Sequence, residues 1–412
     1  MPDAPLASAD ARLVTVRDAA SVLRTASLAY VVLAVALTGL VALAAGLAGA
    51  MPLLGVPGRD IVGGWCRFDC TWYVDIAQNG YSYVAGRQSS VAFFPGYALI
   101  VRAIDQVVGN IVLSAVLVTW CAGLGAVVLF TRWSLDRLGA RMAVGAVAAL
   151  LLYPYGWFLF GAGYADALFV LLVVAAFLLV ERDHFLLAGI VGAFAGVTRP
   201  TGIAVVGGLL LVAFDRAGGL PGRTGAGLLA RLGVPARIAV GRLRLPHAWL
   251  LVALAGPIAF SVWLADRFGD PFVFVTVQEA WDQTEGPHTW FKVGFAGQVL
   301  HGADPWYSFG LVLQALLTLA ALLAIPAVIR RFGAGYGGYT LVIVVLAALG
   351  TKDFQGMGRY LLGAFPLFAL VGSTLADPAS ARVRRARVPI AVSAALLLGL
   401  GAFGFGRGWY LT

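Results

Sequence analysis

The most constraining feature of this chain is how long it runs without a charge. Residues 26–50 contain no Asp, Glu, Lys, Arg or His. About 20 such residues suffice for a helix to cross a hydrocarbon core. Comparable apolar runs recur to the C-terminus. Of the 412 residues, 60% are hydrophobic and 12% charged, whereas soluble domains run near half apolar and about a quarter charged. So few charges cannot cover a soluble surface for so much apolar material, which excludes a soluble enzyme and a disordered chain. The 52 glycines follow no fixed period, which excludes collagen, and three cysteines cannot build a disulfide scaffold. What remains is an all-α polytopic membrane protein.

The first 25 residues are polar and carry Arg12, Arg17 and Arg24. They do not read as a cleavable signal, because the apolar run behind them is too long. The spans predicted after 26–50 are 111–131, 143–160, 164–180, 185–197, 203–214, 249–265, 309–329, 336–349, 360–375 and 389–405. That makes about 11, of which several are short or re-entrant. Segment 93–108 is apolar but carries Arg102 and Asp105, so it is expected as an interfacial or re-entrant helix. The implied plan is a cytoplasmic tail (1–25), a membrane module (26–376) and a basic cytoplasmic segment with a last span (377–412). Within the module lie a first outer loop (51–108), a basic cytoplasmic loop (215–248) and a second outer loop (268–307).

A net charge of +9 would suggest nucleic acid in a soluble protein. Here the charges sort by side. With the N-terminus cytoplasmic, 19 of the 29 basic residues fall in inner segments, with 8 of the 20 acids. A basic inner side is a topology signal, and no nucleic-acid partner is needed to explain it. The centre of every predicted span lacks ionisable groups, unlike the usual proton-coupled transporter. Titratable groups gather at the outer rim, where any chemistry is expected.

The first outer loop holds Arg67, Asp69, Asp75, the turn Asn79-Gly80 and the aromatics Trp65, Trp72, Tyr73, Tyr81 and Phe94. Trp65, Asp69, Trp72 and Tyr73 are spaced for one helical face, which would set a carboxylate among aromatic planes suited to a sugar. The plainer reading is an amphipathic helix on the membrane with Asp69 merely solvated. Cys66 and Cys70 are four apart, a poor geometry for a bridge if both are helical, so free thiols or a bridge are both open. Cys121 is expected to pack within a span.

The ordered set Arg67-Phe68-Asp69-Cys70-Thr71-Trp72-Tyr73, Ile76-Ala77, Gly80-Tyr81 and Phe93-Phe94-Pro95 resembles the PIG-V type mannosyltransferases. Later matches keep the family's order. They are Tyr164-Ala165-Asp166, Thr198-Arg199-Pro200-Thr201-Gly202, Gly269-Asp270-Pro271 with Gln278 and Trp281, and Arg359-Tyr360 with Phe365-Pro366. Phe68 stands for the family's Trp, Asp166 for its Glu, and Pro200-Thr201 for the residues before its Gly. The resemblance covers about residues 60–370 and implies a GT-C-like fold. It also implies a sugar donor carried on a polyprenyl phosphate in the membrane. No nucleotide-binding domain or P-loop is found, which agrees.

By that resemblance an acceptor hydroxyl attacks the anomeric carbon of the sugar, with inversion, and Asp69 takes its proton as general base. The departing lipid phosphate calls for forked guanidinium donors, for which Arg199, Arg359 and Arg67 are the candidates. An arginine at a span end also commonly snorkels to headgroups. Asp166 is a candidate sugar-binding carboxylate or simply an N-terminal helix cap. Trp72, Tyr73, Tyr81, Phe94, Tyr164, Gln278, Trp281 and Tyr360 complete the expected substrate-binding set. Asp270, Glu279, Glu285, His288, His301 and Asp304 lack ligand spacing and read as solvated, so no metal or cofactor is expected. The expected partners are a polyprenyl-phosphate-sugar donor, a glycolipid, polysaccharide or protein acceptor, and the bilayer. An Ala/Gly/Arg-rich, Lys-poor composition points to a bacterial cytoplasmic membrane with the site on the outer face. The alternatives are another lipid-linked sugar such as arabinose or glucose, or a lipid-linked saccharide flippase without chemistry.

Overall fold

The computed structural model describes residues 16–48, 61–220, 238–284, 286–302, 304–377 and 381–410. The N-terminal tail with Arg12, the first part of the first outer loop, most of the basic loop and Glu285 lie outside them. Among the described residues every regular element is helical. The chain opens with α1 (Val16–Leu47), α2 (Asp69–Asn79) and α3 (Pro95–Val108), and then α4 (Ile111–Leu138) and α5 (Ala140–Leu151). A short α6 (Trp157–Phe160) precedes α7 (Asp166–Glu181), α8 (Phe185–Gly196) and α9 (Ile203–Arg216). A 3-10 stretch, Leu245–Leu254, runs into α10 (Ala255–Phe268), followed by the short α11 (Val273–Thr276), α12 (Pro287–Trp290) and α13 (Val293–His301). The last five are α14 (Pro305–Phe332), α15 (Ala334–Leu349), α16 (Met357–Tyr360), α17 (Pro366–Ala376) and α18 (Ala381–Arg407).

This is a multi-pass membrane protein. Five helices are long and apolar enough to cross: Arg17–Leu47, Ile111–Leu138, Leu245–Phe268, Pro305–Phe332 and Arg385–Arg407. A sixth arises if the pair Met357–Gly363 and Pro366–Ala376, bent by 85°, counts as one. The eleven-span expectation is therefore not what helix length shows. Proline explains two of the differences. The predicted span 143–160 stops at Leu151, because Pro154 lacks an N–H and disfavours helix in the residue before it. Pro366 likewise breaks the predicted span 360–375. The 12 residues of α8 rise only about 18 Å, short of a ~30 Å core.

Local signals set the ends. Asn110 accepts from Leu113 N–H and caps α4. Asp304 does the same for Trp306 and Tyr307 at α14, and Asp270 Oδ1 accepts from Phe272 N–H. Two acids that read as solvated thus hold backbone instead. Packing between helices uses small residues, as expected where lipid is as apolar as the core. A Cβ on Gly372 of α17 would lie 2.1 Å from the Gly145 carbonyl of α5, so only glycine allows that approach.

The charged ends sort onto two faces. Arg137 of α4 pairs with Glu181 at the end of α7, and Arg331 of α14 reaches Met142 of α5. On the opposite face lie the starts of α2, α7 and α14, the loop before α16, and the end of α18.

Candidate active site

Asp69 owes its position to a tight turn. Trp65 is fully buried and donates Nε1–H to Thr38 of α1 at 3.0 Å. Cys66 and Cys70 form a disulfide. Cys66 precedes the helix, and Phe68 takes a left-handed φ of 52°, so the helical spacing that disfavoured a bridge does not apply. For the same reason Trp65 does not share the α2 face with Asp69, Trp72 and Tyr73. The Asp69 N–H donates to Tyr164 Oη at 3.1 Å, and Tyr164 in turn donates to the Arg67 carbonyl. The 161–165 loop fits tightly: a Cβ on Gly163 would meet Cys70 Sγ at 2.5 Å.

Four charged side chains from distant parts of the sequence meet here. Arg359 donates to Asp69 Oδ2 at 2.7 Å, and its other terminal nitrogen lies 3.7 Å from Asp166 Oδ2. Asp166 Oδ1 pairs with Arg199. The order Asp69–Arg359–Asp166–Arg199 alternates in sign and sums to zero, as a cluster this deep in apolar surroundings must. Asp166 is 1% exposed and Arg199 7%, against 21% for the Asp69 side chain. Among the described residues only Oδ2 of Asp69 is engaged, so Oδ1 stays available. Arg359 Nε is buried without a partner among the described residues, which leaves a spare donor beside that carboxylate.

Aromatic rings surround the cluster. The Arg199 guanidinium lies over Tyr360 at 4.6 Å, and that of Arg359 over Tyr164 at 5.1 Å and Tyr360 at 5.0 Å. Tyr73 packs edge-on to Phe93 and Tyr97. Burial pushes its phenol up from the usual range, so it is a neutral hydroxyl and no base. A second aromatic group adjoins, with Trp72 stacked on Phe93 at 5.8 Å and edge-on to Trp281 at 6.0 Å.

The segment 268–307 lies across this region. Lys352 Nζ donates to the Trp281 carbonyl at 3.2 Å. Lys292 binds the carbonyls of Ala348 and Thr351 and lies over the Phe354 ring at 5.2 Å. Burial lowers its pKa to about 8, the nearby Asp353 opposing. Among the described residues no three His, Cys, Asp or Glu side chains converge as a metal site would require.

No family model matches the chain. Over 161 residues it is 31% identical to GPI alpha-1,6-mannosyltransferase 2 of Rattus norvegicus, 36% of this chain and 32% of that protein. The Mus musculus protein of the same name is 30% identical over 163 residues. The match thus spans about a third of the length of these curated relatives, to which the chain is a distant homologue. Among solved structures, ArnT from Cupriavidus metallidurans, crystallised with undecaprenyl phosphate, superposes with a TM-score of 0.50 at 14% identity. The superposition covers 84% of this chain and 72% of ArnT. The chain has the ArnT-like GT-C fold.

Within that fold the expected site residues lie in different surroundings. Asp69, Asp166, Arg199, Arg359, Tyr73, Tyr164 and Tyr360 come together, and Trp72 and Trp281 form the adjoining pair. The others make contacts elsewhere. The Arg67 guanidinium, 7% exposed, donates to the Gly406 carbonyl of α18 at 3.1 Å. Tyr81 donates to the Phe93 carbonyl, and Phe94 is buried against Phe260 and Phe274. Gln278 donates to the Phe274 carbonyl four residues back. Cys121 is exposed on the α4 surface rather than packed inside. One group was not foreseen: Asp353, 5% exposed, accepts from Tyr307 at 3.1 Å, and Tyr307 stacks on Tyr410. The signal was present in Lys352-Asp353, two charges between apolar segments and only six residues before Arg359.

Proposed function

We propose that this protein is an inverting glycosyltransferase that moves mannose from a polyprenyl-phosphate-mannose donor to an acceptor hydroxyl at the outer face of a bacterial cytoplasmic membrane. The observation that carries this reading is the difference between the two carboxylates. Asp166 is sealed between two guanidinia, whereas Asp69 is held on one oxygen and partly open on the other. A carboxylate fixed in that way can take a proton from an alcohol as the alcohol attacks. In the same step the anomeric C–O bond to the phosphate breaks, and the carrier leaves as a phosphate anion. The spare Nε of Arg359 supports that anion, and Trp72 and Trp281 offer flat faces for a pyranose.

The distant homology to mannosyltransferases supports the sugar, and the undecaprenyl phosphate bound by ArnT supports the carrier. In this reading the membrane module is 26–376 and the N-terminus is cytoplasmic. The test is transfer of radiolabel from polyprenyl-phosphate-mannose to membrane extracts, wild type against Asp69→Asn. Transfer should fall by about 10²–10⁴ with the base removed, while donor binding and expression persist. Full transfer by Asp69→Asn refutes the proposal. Transfer of label only from arabinose or glucose carriers reassigns the sugar.

A further inference from the structure

On the face away from Asp69, α14 and α18 do not pack along each other. Instead α14 lies on α15 and α17, and α18 lies chiefly on α1. Between them runs an apolar groove of about 740 Å³, floored by α5 and α17. Its walls include the small side chains Ala320 and Ala324 on one helix and Ala391 and Ala394 on the other. Two charged residues line it, Arg141 at the start of α5 and Arg387 near the start of α18. Both are exposed, and neither forms an ion pair or hydrogen bond among the described residues. Arg385, two residues from Arg387, is likewise exposed, whereas three other arginines on this face are paired. Arg132 pairs with Asp136, Arg137 with Glu181 and Arg216 with Asp183. Two uncompensated guanidinia at the end of an apolar slot call for an anion with a hydrocarbon tail.

We propose that this groove seats a chain of an anionic membrane phospholipid, with its phosphate held by Arg141 and Arg387. The depth fits one leaflet. The 12 residues of α5 rise about 18 Å, a little over half of a ~30 Å core. Tyr153 and Pro154 mark the inner end. Beyond Pro154 the gap narrows to about 30 Å³, with Trp306 and Trp409 stacked 5.2 Å apart beside it. A chain entering past the arginines therefore stops short of Asp69, so this site is separate from the charged cluster and does not depend on the transfer reading. A second copy of this chain is disfavoured as occupant, since it carries a net +9 and would meet two unpaired arginines.

The test is native mass spectrometry of the full chain, titrated with phosphatidylglycerol or phosphatidylcholine of matched acyl chains. Phosphatidylglycerol should be retained at least tenfold better, and the Arg141→Gln/Arg387→Gln variant should lose that preference. Ala320→Trp, on an exposed lining position, fills the slot and should abolish retention of the lipid. Thermal unfolding in lipid-free detergent verifies that both variants fold. Equal retention of the two lipids overturns the proposal, as does a preference that survives either change. A dimer that forms without phosphatidylglycerol and is lost in Ala320→Trp would give the groove to a second copy, and overturns it equally.

Discussion

The Asp166–Arg199 pair makes a quantitative test of how the site is held. Both side chains are almost fully buried, at 1% and 7% exposure. Among the described residues, Asp166→Leu leaves Arg199 with only the faces of Tyr360 and Phe169, worth about 0.5–2 kcal/mol. Removing one partner of a buried pair typically costs about 3–5 kcal/mol, because the other charge stays buried and uncompensated. Arg199→Met should cost a similar amount. Replacing both by apolar residues of similar volume is often neutral, so the double variant should recover most of the loss. Asp69→Asn behaves differently, since its side chain is 21% exposed and Arg359 keeps Asp166, so its stability cost should stay below that of Asp166→Leu. Denaturant unfolding in mixed micelles reads all four variants. Strict additivity, with the double variant losing the sum of the singles, refutes the view that Asp166 and Arg199 are one buried unit.

Two further outcomes follow from the packing. Lys292 has a folded pKa of about 8 against an ordinary 10.5, so between those values the unfolded state binds the extra proton and stability rises with pH. Protection of the 268–307 segment from protease should therefore increase from pH 8 to 10.5 in the wild type and stay flat in Lys292→Met. Gly372→Ala puts a methyl 2.1 Å from the Gly145 carbonyl and should cost about 1–3 kcal/mol by overpacking, read as lower thermal stability in detergent.

How much of this was legible in the sequence depended on the range of the interaction. Asp69, Asp166, Arg199 and Arg359 could be named because short motifs in the order of a known family mark them. Their convergence could not be read from spacing, since 290 residues separate Asp69 from Arg359. The membrane class followed from charge-free runs alone. Span number did not, because hydropathy cannot see that Pro154 or Pro366 ends a helix inside an apolar run. The Cys66–Cys70 bridge was left open by spacing because the turn at Phe68 takes Cys66 out of the helix. Phe94 and Tyr81 looked like substrate aromatics because an interfacial belt and a buried corner have the same composition. Their contacts with Phe260, Trp263 and Phe274, far along the chain, are invisible to composition.

Arg67 is where sequence and structure pull hardest in different directions, and a paired substitution separates them. Two residues from Asp69, it is a natural donor for a lipid phosphate. Yet its guanidinium turns away to the Gly406 carbonyl in the last turn of α18. A helix C-terminus carries partial negative charge, so this cation is compensated without a carboxylate. Burial lowers its pKa, but an arginine remains charged across the working range. The contact therefore pins the last helix to the loop that bears the proposed base. Hydrogen bonds to charged groups contribute about 1.5–3 kcal/mol, and Arg67→Met should lose that much stability while each folded molecule keeps its donor KM. Arg359→Met should show a different pattern, with transfer lost because both Asp69 and the proposed phosphate contact depend on it. A donor KM raised tenfold or more in Arg67→Met, at unchanged stability, would return Arg67 to the phosphate and show that the guanidinium swings when substrate binds.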